Sequence, residues 1–224
     1  MTNQVLPRNG RAVLGGKCLT NRAGVRRYKA FTLIELVLVI GIITVLSALV
    51  LSTAGYARKK AARARAESEI AALAAACENY KSDNGAYVRG PAANMTVGNT
   101  VIPMNATDVP NARTDGNPAS PSFGNSSLYL YTQLSGDLAG LQQPTNKIYF
   151  TFKPQMLSID NNGFVTAIKD PWGNSYGYST IQAGTQNTAK GYNPTFDLWS
   201  TVGLTNSPPV SGNDTTTPQW IKNW

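Results

Sequence analysis

The stretch that decides the fold is Leu36–Ala57, LVLVIGIITVLSALVLSTAGYA, which runs for 22 residues without a charge. As a helix it rises about 33 Å, at about 1.5 Å per residue, enough to cross a bilayer core of about 30 Å. A cleavable secretory signal has an apolar stretch of about 7–15 residues followed by a small-residue cut site. This run is longer, and Ser52–Arg65 offers no obvious site of that kind. On hydropathy alone the segment reads as a signal anchor.

Downstream, residues 58–82 read RKKAARARAESEIAALAAACENYKS. They contain no Pro or Gly and are dominated by Ala, so helix propensity stays high. Ile70, Leu73, Cys77 and Tyr80 fall on one helix face, with Glu67, Glu69, Glu78 and Lys81 off it or at its margin. Arg63–Glu67 and Arg65–Glu69 are i,i+4 pairs. Asp83-Asn84-Gly85 is a stop signal, with Gly85 as a left-handed cap. The reading is one helix from about Phe31 to about Ser82, close to 80 Å long. Its first half is apolar nearly all round, and its second half carries one stripe for packing on a globular body.

Upstream, residues 1–30 hold seven bases (Arg8, Arg11, Lys17, Arg22, Arg26, Arg27, Lys29) and no acid. The rest of the 224-residue chain holds thirteen bases and twelve acids, so the formal charge of +8 belongs mostly to the leader. Because Arg58, Lys59, Lys60, Arg63 and Arg65 follow the apolar run, a cytoplasmic N-terminus is favoured only narrowly. This second cluster reads as a solvated turn beside lipid headgroups. A DNA-binding stripe is disfavoured because no aromatic residue is interleaved, and no nucleic acid is expected as a partner. Histidine is absent, which excludes Ser-His-Asp and Cys-His catalysis and histidine metal sites within this chain. No carboxylate pair stands out, and the chain is not expected to be an enzyme. Of its two cysteines, Cys18 lies in the leader and Cys77 would be alone without it.

Glu35 is the anomaly. It opens the apolar run, where a carboxylate is costly and needs a proton or a cation. Lys29 offers a local pair. A cut between Ala30 and Phe31 would offer another, an α-amino group four residues before Glu35. Neighbouring rods packed side by side could then pair the two charges, so that assembly neutralises both.

Lys29-Ala30-Phe31-Thr32-Leu33-Ile34-Glu35-Leu36 resembles the type IV prepilin processing site, K-G-F-T-L-I-E-L. The resemblance covers the leader, the junction and the long helix. It implies that a prepilin peptidase cuts after Ala30 and N-methylates Phe31, and that Glu35 serves assembly. The family prefers Gly before the cut. Ala30 is still small, so cleavage is expected, at a lower rate.

Beyond the helix, residues 86–127 are rich in Asn, Thr, Pro, Gly, Ala and Ser and read as a mostly irregular surface segment with a short strand at Thr96–Met104. Asn125-Ser126-Ser127 precedes a short helix that stops at Ser135-Gly136. Ile148–Phe152 and Phe164–Ile168 read as strands. Asp170-Pro171-Trp172-Gly173 fits a type I turn, which would return Ser175–Ser179 as the partner strand. Thr195–Ser200 is the last strand expected. The fold class is α+β, pilin-like: a long N-terminal helix on a small antiparallel sheet. The organisation is a basic cytoplasmic leader at 1–30, the long helix at 31–84 with about 36–57 in the membrane, and a head at 85–224 with an insertion at about 86–127.

Lys169-Asp170-Pro171-Trp172-Gly173-Asn174-Ser175-Tyr176, then Phe196-Asp197-Leu198-Trp199-Ser200, then Ile221-Lys222-Asn223-Trp224 resemble the motifs of the major (G-type) pseudopilin of type II secretion. Tyr80–Tyr87 resembles its helix-end segment, whereas 88–160 resembles it much less. The resemblance implies a periplasmic pseudopilus subunit, anchored by one span in the inner membrane before assembly into a homo-oligomeric filament. Implied partners are the prepilin peptidase, minor pseudopilins, the inner-membrane platform and its ATPase, and membrane lipid. It also implies calcium in the loop Thr201–Gln219. There Asp214 is the single acid, so only a weak site is expected, with Leu198, Ser200 and Asp214 as ligands. The alternative is a type IV pilin for adhesion, motility or DNA uptake. The DPWGN and FDLWS motifs, and the lack of a C-terminal cysteine pair, favour the pseudopilin. The long 86–127 segment favours the pilin.

Overall fold

The computed structural model describes residues 31–204 and 219–224, without the side chains of Ser52 and Thr53. The leader with Ala30 and Cys18, and the loop residue Asp214, lie outside the described residues. The chain divides into two units, Met1–Leu49 and Val50–Trp224. In the first, residues 33–49 are helical and exposed throughout.

Helix α1 runs Leu33–Asn84, close to the expected bounds. It ends as its sequence dictates. Gly85 takes φ +76°, and its N–H donates to the Lys81 carbonyl at 2.8 Å. In the second unit the expected face is the packed one: Ile70, Leu73 and Cys77 are buried, and Tyr80 is half-buried. Ala66 and Ala76 extend that stripe. The core they join includes Leu128, Leu130 and Leu134 of α2 (Pro121–Ser135), with Val165, Ile168, Tyr178 and Leu198 from the strands.

Among the described residues, three small antiparallel sheets stand where one was expected. β1 (Met95–Val97) pairs with β2 (Thr100–Ile102), and β3 (Leu157–Ile159) pairs with β4 (Val165–Ile168). β5 (Gly177–Ser179), β6 (Asp197–Ser200) and β7 (Ile221–Lys222) form the third sheet in that order. A short helix, α3 (Ile181–Thr185), follows β5.

Several expectations need correction. The single strand at Thr96–Met104 is a hairpin. Gly98, at φ +54°, supplies the positive φ that its two-residue turn requires. The segment around it also reaches the core: Val88, Val97, Ile102, Ala106, Ala112 and Phe123 are all buried. Helix α2 begins four residues before Asn125, with Pro121 in its first turn, and stops at Ser135 as expected.

Ile148–Phe152 forms no strand and pairs with none among the described residues. The N–H groups of Tyr149 and Phe150 instead donate to the Leu134 carbonyl at 2.8 and 3.0 Å, satisfying the end of α2. The turn at Asp170 forms, with the Gly173 N–H on the Asp170 carbonyl at 2.9 Å. Ser175–Ser179 does not return along β4, however. Only the Lys169–Ser175 bridge and the Tyr176 N–H on the Ile168 carbonyl link them, and Gly177–Ser179 then joins β6. The reason is Trp199, which lies opposite Gly177. A Cβ at 177 would sit 2.2 Å from its ring, so the bare glycine makes room for the indole.

Candidate functional site

The site begins at the helix start. Thr32 precedes the first helical residue, and Glu35 lies three residues on. Glu35 Oε2 accepts from the Thr32 N–H at 2.9 Å and from the Thr32 hydroxyl at 2.8 Å. In return the Glu35 N–H donates to Thr32 Oγ1 at 3.3 Å. This is a reciprocal capping box, which satisfies two of the N–H groups that a helix start leaves without partners. Its signal, T-x-x-E ahead of an apolar run, is present in Thr32-Leu33-Ile34-Glu35. The reading of Glu35 as a charge in need of a proton or a cation does not contain this capping role.

The cap does not exhaust the carboxylate. Both Thr32 bonds fall on Oε2, and Oε1 accepts none from a described residue. Glu35 is exposed, and Phe31 beside it is 82% exposed. The helix thus presents an anion with one oxygen to spare, close to the junction where a cut would leave a cation. The local partner Lys29 and the junction residue Ala30 fall outside the described residues.

Of the residues expected to hold calcium, two are described, and Asp214 is not. Leu198 and Ser200 lie on β6 and are fully buried. The Leu198 carbonyl accepts from the Asn223 N–H at 3.2 Å, and its own N–H donates to Asn223 Oδ1 at 2.9 Å. Ser200 donates to Asp170 Oδ2 at 2.6 Å and accepts from the Val202 N–H at 3.1 Å. Both are thus engaged in joining β6 to its neighbours. Asp170 is the acid that sequence reasoning did not join to Ser200. Its Oδ1 accepts from the N–H groups of Trp172 and Asn174, locking the turn. Burial holds its carboxyl above the ordinary range, and the bonds from Ser200, Asn174 and Trp172 offset part of that rise. Among the described residues, no three His, Cys, Asp or Glu side chains are grouped to hold a metal.

A second buried acid ties α1 to the strands. Glu69 accepts from the Tyr176 hydroxyl at 2.7 Å and from Arg65 Nε at 2.6 Å. Burial first, and then the bond to Glu69, push the Tyr176 hydroxyl upward in pKa, so it stays a donor. This network anchors the part of α1 that belongs to the second unit and does not involve Glu35.

Residues 25–51 match the prokaryotic N-terminal methylation motif. The match spans the Ala30–Phe31 junction, Glu35 and most of the apolar run. It supports a type IV pilin-like protein and implies processing by a prepilin peptidase with pilus-type assembly. No curated protein and no solved structure matches the chain. The motif and the apolar length of α1, enough to cross a membrane, fit a membrane-anchored protein.

Proposed function

We propose that this chain is a structural subunit of a type II secretion pseudopilus. A prepilin peptidase cuts it between Ala30 and Phe31 and methylates the new terminus. The mature subunit waits in the inner membrane with its head on the periplasmic side, then packs helix against helix into a filament. A platform and ATPase extend that filament to drive secretion.

The observation that carries the proposal is the tip of α1. An exposed Glu35 with one uncommitted oxygen stands beside Phe31 at the head of a helix whose apolar side chains are exposed all round. Lone residence in lipid leaves that charge unpaired, whereas a neighbouring Phe31 amine neutralises it. The resemblance of the Asp170–Asn174 turn and of Phe196–Ser200 to the major pseudopilin favours the secretion filament over a pilus. Calcium has no part in the proposal.

A cell-surface pilus is the second reading. The exposed apolar side chains of Val101, Met104 and Val109, on and just after the β1–β2 hairpin, favour it, because a surface fibre can use such a patch for adhesion.

Two substitutions separate the cap from the charge. Glu35→Gln keeps a side chain that can accept from Thr32 but removes the charge, and it should insert in the membrane and fail to assemble. Thr32→Ala removes the hydroxyl of the cap and should still assemble. Filaments from Glu35→Gln at the wild-type level, seen by shearing and electron microscopy, would overturn the proposal. Fibres outside the cell at native expression, with no secretion defect on deletion, would favour the pilus.

A further inference from the structure

The five bases after the apolar run differ in what they touch. Arg63 Nε lies 3.1 Å from Glu67, and a second Arg63 nitrogen donates to the Gln219 carbonyl at 2.9 Å. Arg65 pairs with Glu69 at 2.6 Å. Arg58, Lys59 and Lys60 are exposed and form no hydrogen bond or ion pair with a described residue.

Nor is there an idle acid to match them among the described residues. Each of the eleven described carboxylates accepts a hydrogen bond from within the chain. The described carboxylates of a second copy thus already have partners inside it, Glu35 through one oxygen and 23 residues before Arg58 on the helix. The complement of the three free cations is an anion supplied from outside.

Position narrows its chemistry. The three bases directly follow 22 uncharged residues on the same helix. Successive residues are about 100° apart, so the trio covers about 200° of the circumference. Tyr56, two residues before Arg58, is 73% exposed. An amphipathic ring followed by long cationic side chains is the composition that settles at a membrane–water interface. A wide collar suits a layer of phosphates, not a single bound ion.

We propose that Tyr56, Arg58, Lys59 and Lys60 form an interfacial anchor that binds the phosphates of anionic phospholipids in the leaflet facing the head. This rests on the membrane-spanning reading above. The anchor fixes the depth of the subunit in the bilayer. Removal of the leader takes away its seven bases, so the collar becomes the densest cationic site left at the membrane. It is also a hold that extraction into a filament must release.

The test uses the full chain in nanodiscs of equal phosphatidylglycerol and phosphatidylcholine, with native mass spectrometry counting the lipids retained by class. Each base near an anionic surface contributes about fivefold in affinity. Wild-type protein should retain phosphatidylglycerol over phosphatidylcholine by at least about tenfold at low salt, less at high salt. R58Q/K59Q/K60Q should bring the ratio below about twofold, while K153Q/K190Q, on the head, should leave it unchanged. An undiminished preference in the triple variant, or none in the wild type, overturns the anchor. Carbonate washing of native membranes separates the two levels. A protein that washes off refutes the membrane span and the anchor together. One that stays embedded without lipid preference refutes the anchor alone.

Discussion

Residues 36–51 and residues 66–80 lie on one helix and both are rich in apolar side chains, but only the second stretch is buried. Leu36, Ile40 and Val45 are 58, 55 and 62% exposed, whereas Leu73 and Cys77 are fully covered. The second stretch has one apolar stripe, and its partners (α2 and the strands) lie in the same unit of the chain. The first stretch is apolar on every side, so no single face of a head could cover it. In the proposed function its partners are lipid and other copies. The charges follow the same division: Glu69 is paired inside the chain, and Glu35 keeps one oxygen free.

The comparison breaks most visibly at Leu73. Leu73→Ala should destabilise the head by about 2–5 kcal/mol, because a fully buried side chain leaves a cavity. Ile43→Ala should leave head unfolding unchanged. Thermal melts of both variants in detergent, followed by near-UV circular dichroism, check the contrast. Equal effects would mean that the two stretches are not different in kind.

Tyr176→Phe comes next. It removes a donor to a buried carboxylate and should cost about 1.5–3 kcal/mol in urea unfolding. Gly177→Ala should cost about 1–3 kcal/mol and alter the Trp fluorescence, since the new methyl must displace the Trp199 ring. Arg63→Ala, at an exposed pair, should cost no more than about 1 kcal/mol.

The pH dependence of the head sharpens the inner side of the comparison. The Asp170 carboxyl is raised above its ordinary value of 3.8, so the folded head holds that proton more tightly than the unfolded chain does. Its contribution to stability is full below that value and is lost as pH rises through the raised one. Asp170→Asn should remove this slope. The difference in unfolding free energy between wild type and variant should fall across that window and level off above it.

Much of this arrangement is legible in the sequence, and the gaps have physical causes. The long helix, its packed face, its Gly85 stop and the Asp170 turn are local, each set by propensity, periodicity or a side chain bonding its own backbone. The hairpin at 95–102 is hidden because its strands are three residues each and the burial of Val97 and Ile102 comes from the core they join, not from their own pattern. Ile148–Phe152 has the composition of a strand, but its N–H groups are taken by α2. The pairing of β5 with β6 depends on Trp199 meeting Gly177 across 22 residues of chain, a contact that no local window contains. At the site, Phe31 and Glu35 are legible as an anomaly of charge in an apolar run. The capping role of Glu35 was equally legible in Thr32-Leu33-Ile34-Glu35. Its spare oxygen was not, since that depends on both bonds falling on one atom.

The central claim is that the tip of α1 is made by cleavage and serves assembly. The most direct measurement is the intact mass and N-terminal sequence of the protein from native membranes. The account predicts a chain that begins at N-methylated Phe31. A chain still carrying residues 1–30, in cells with an active prepilin peptidase, would contradict it. Glu35 would then be a helix cap and nothing more.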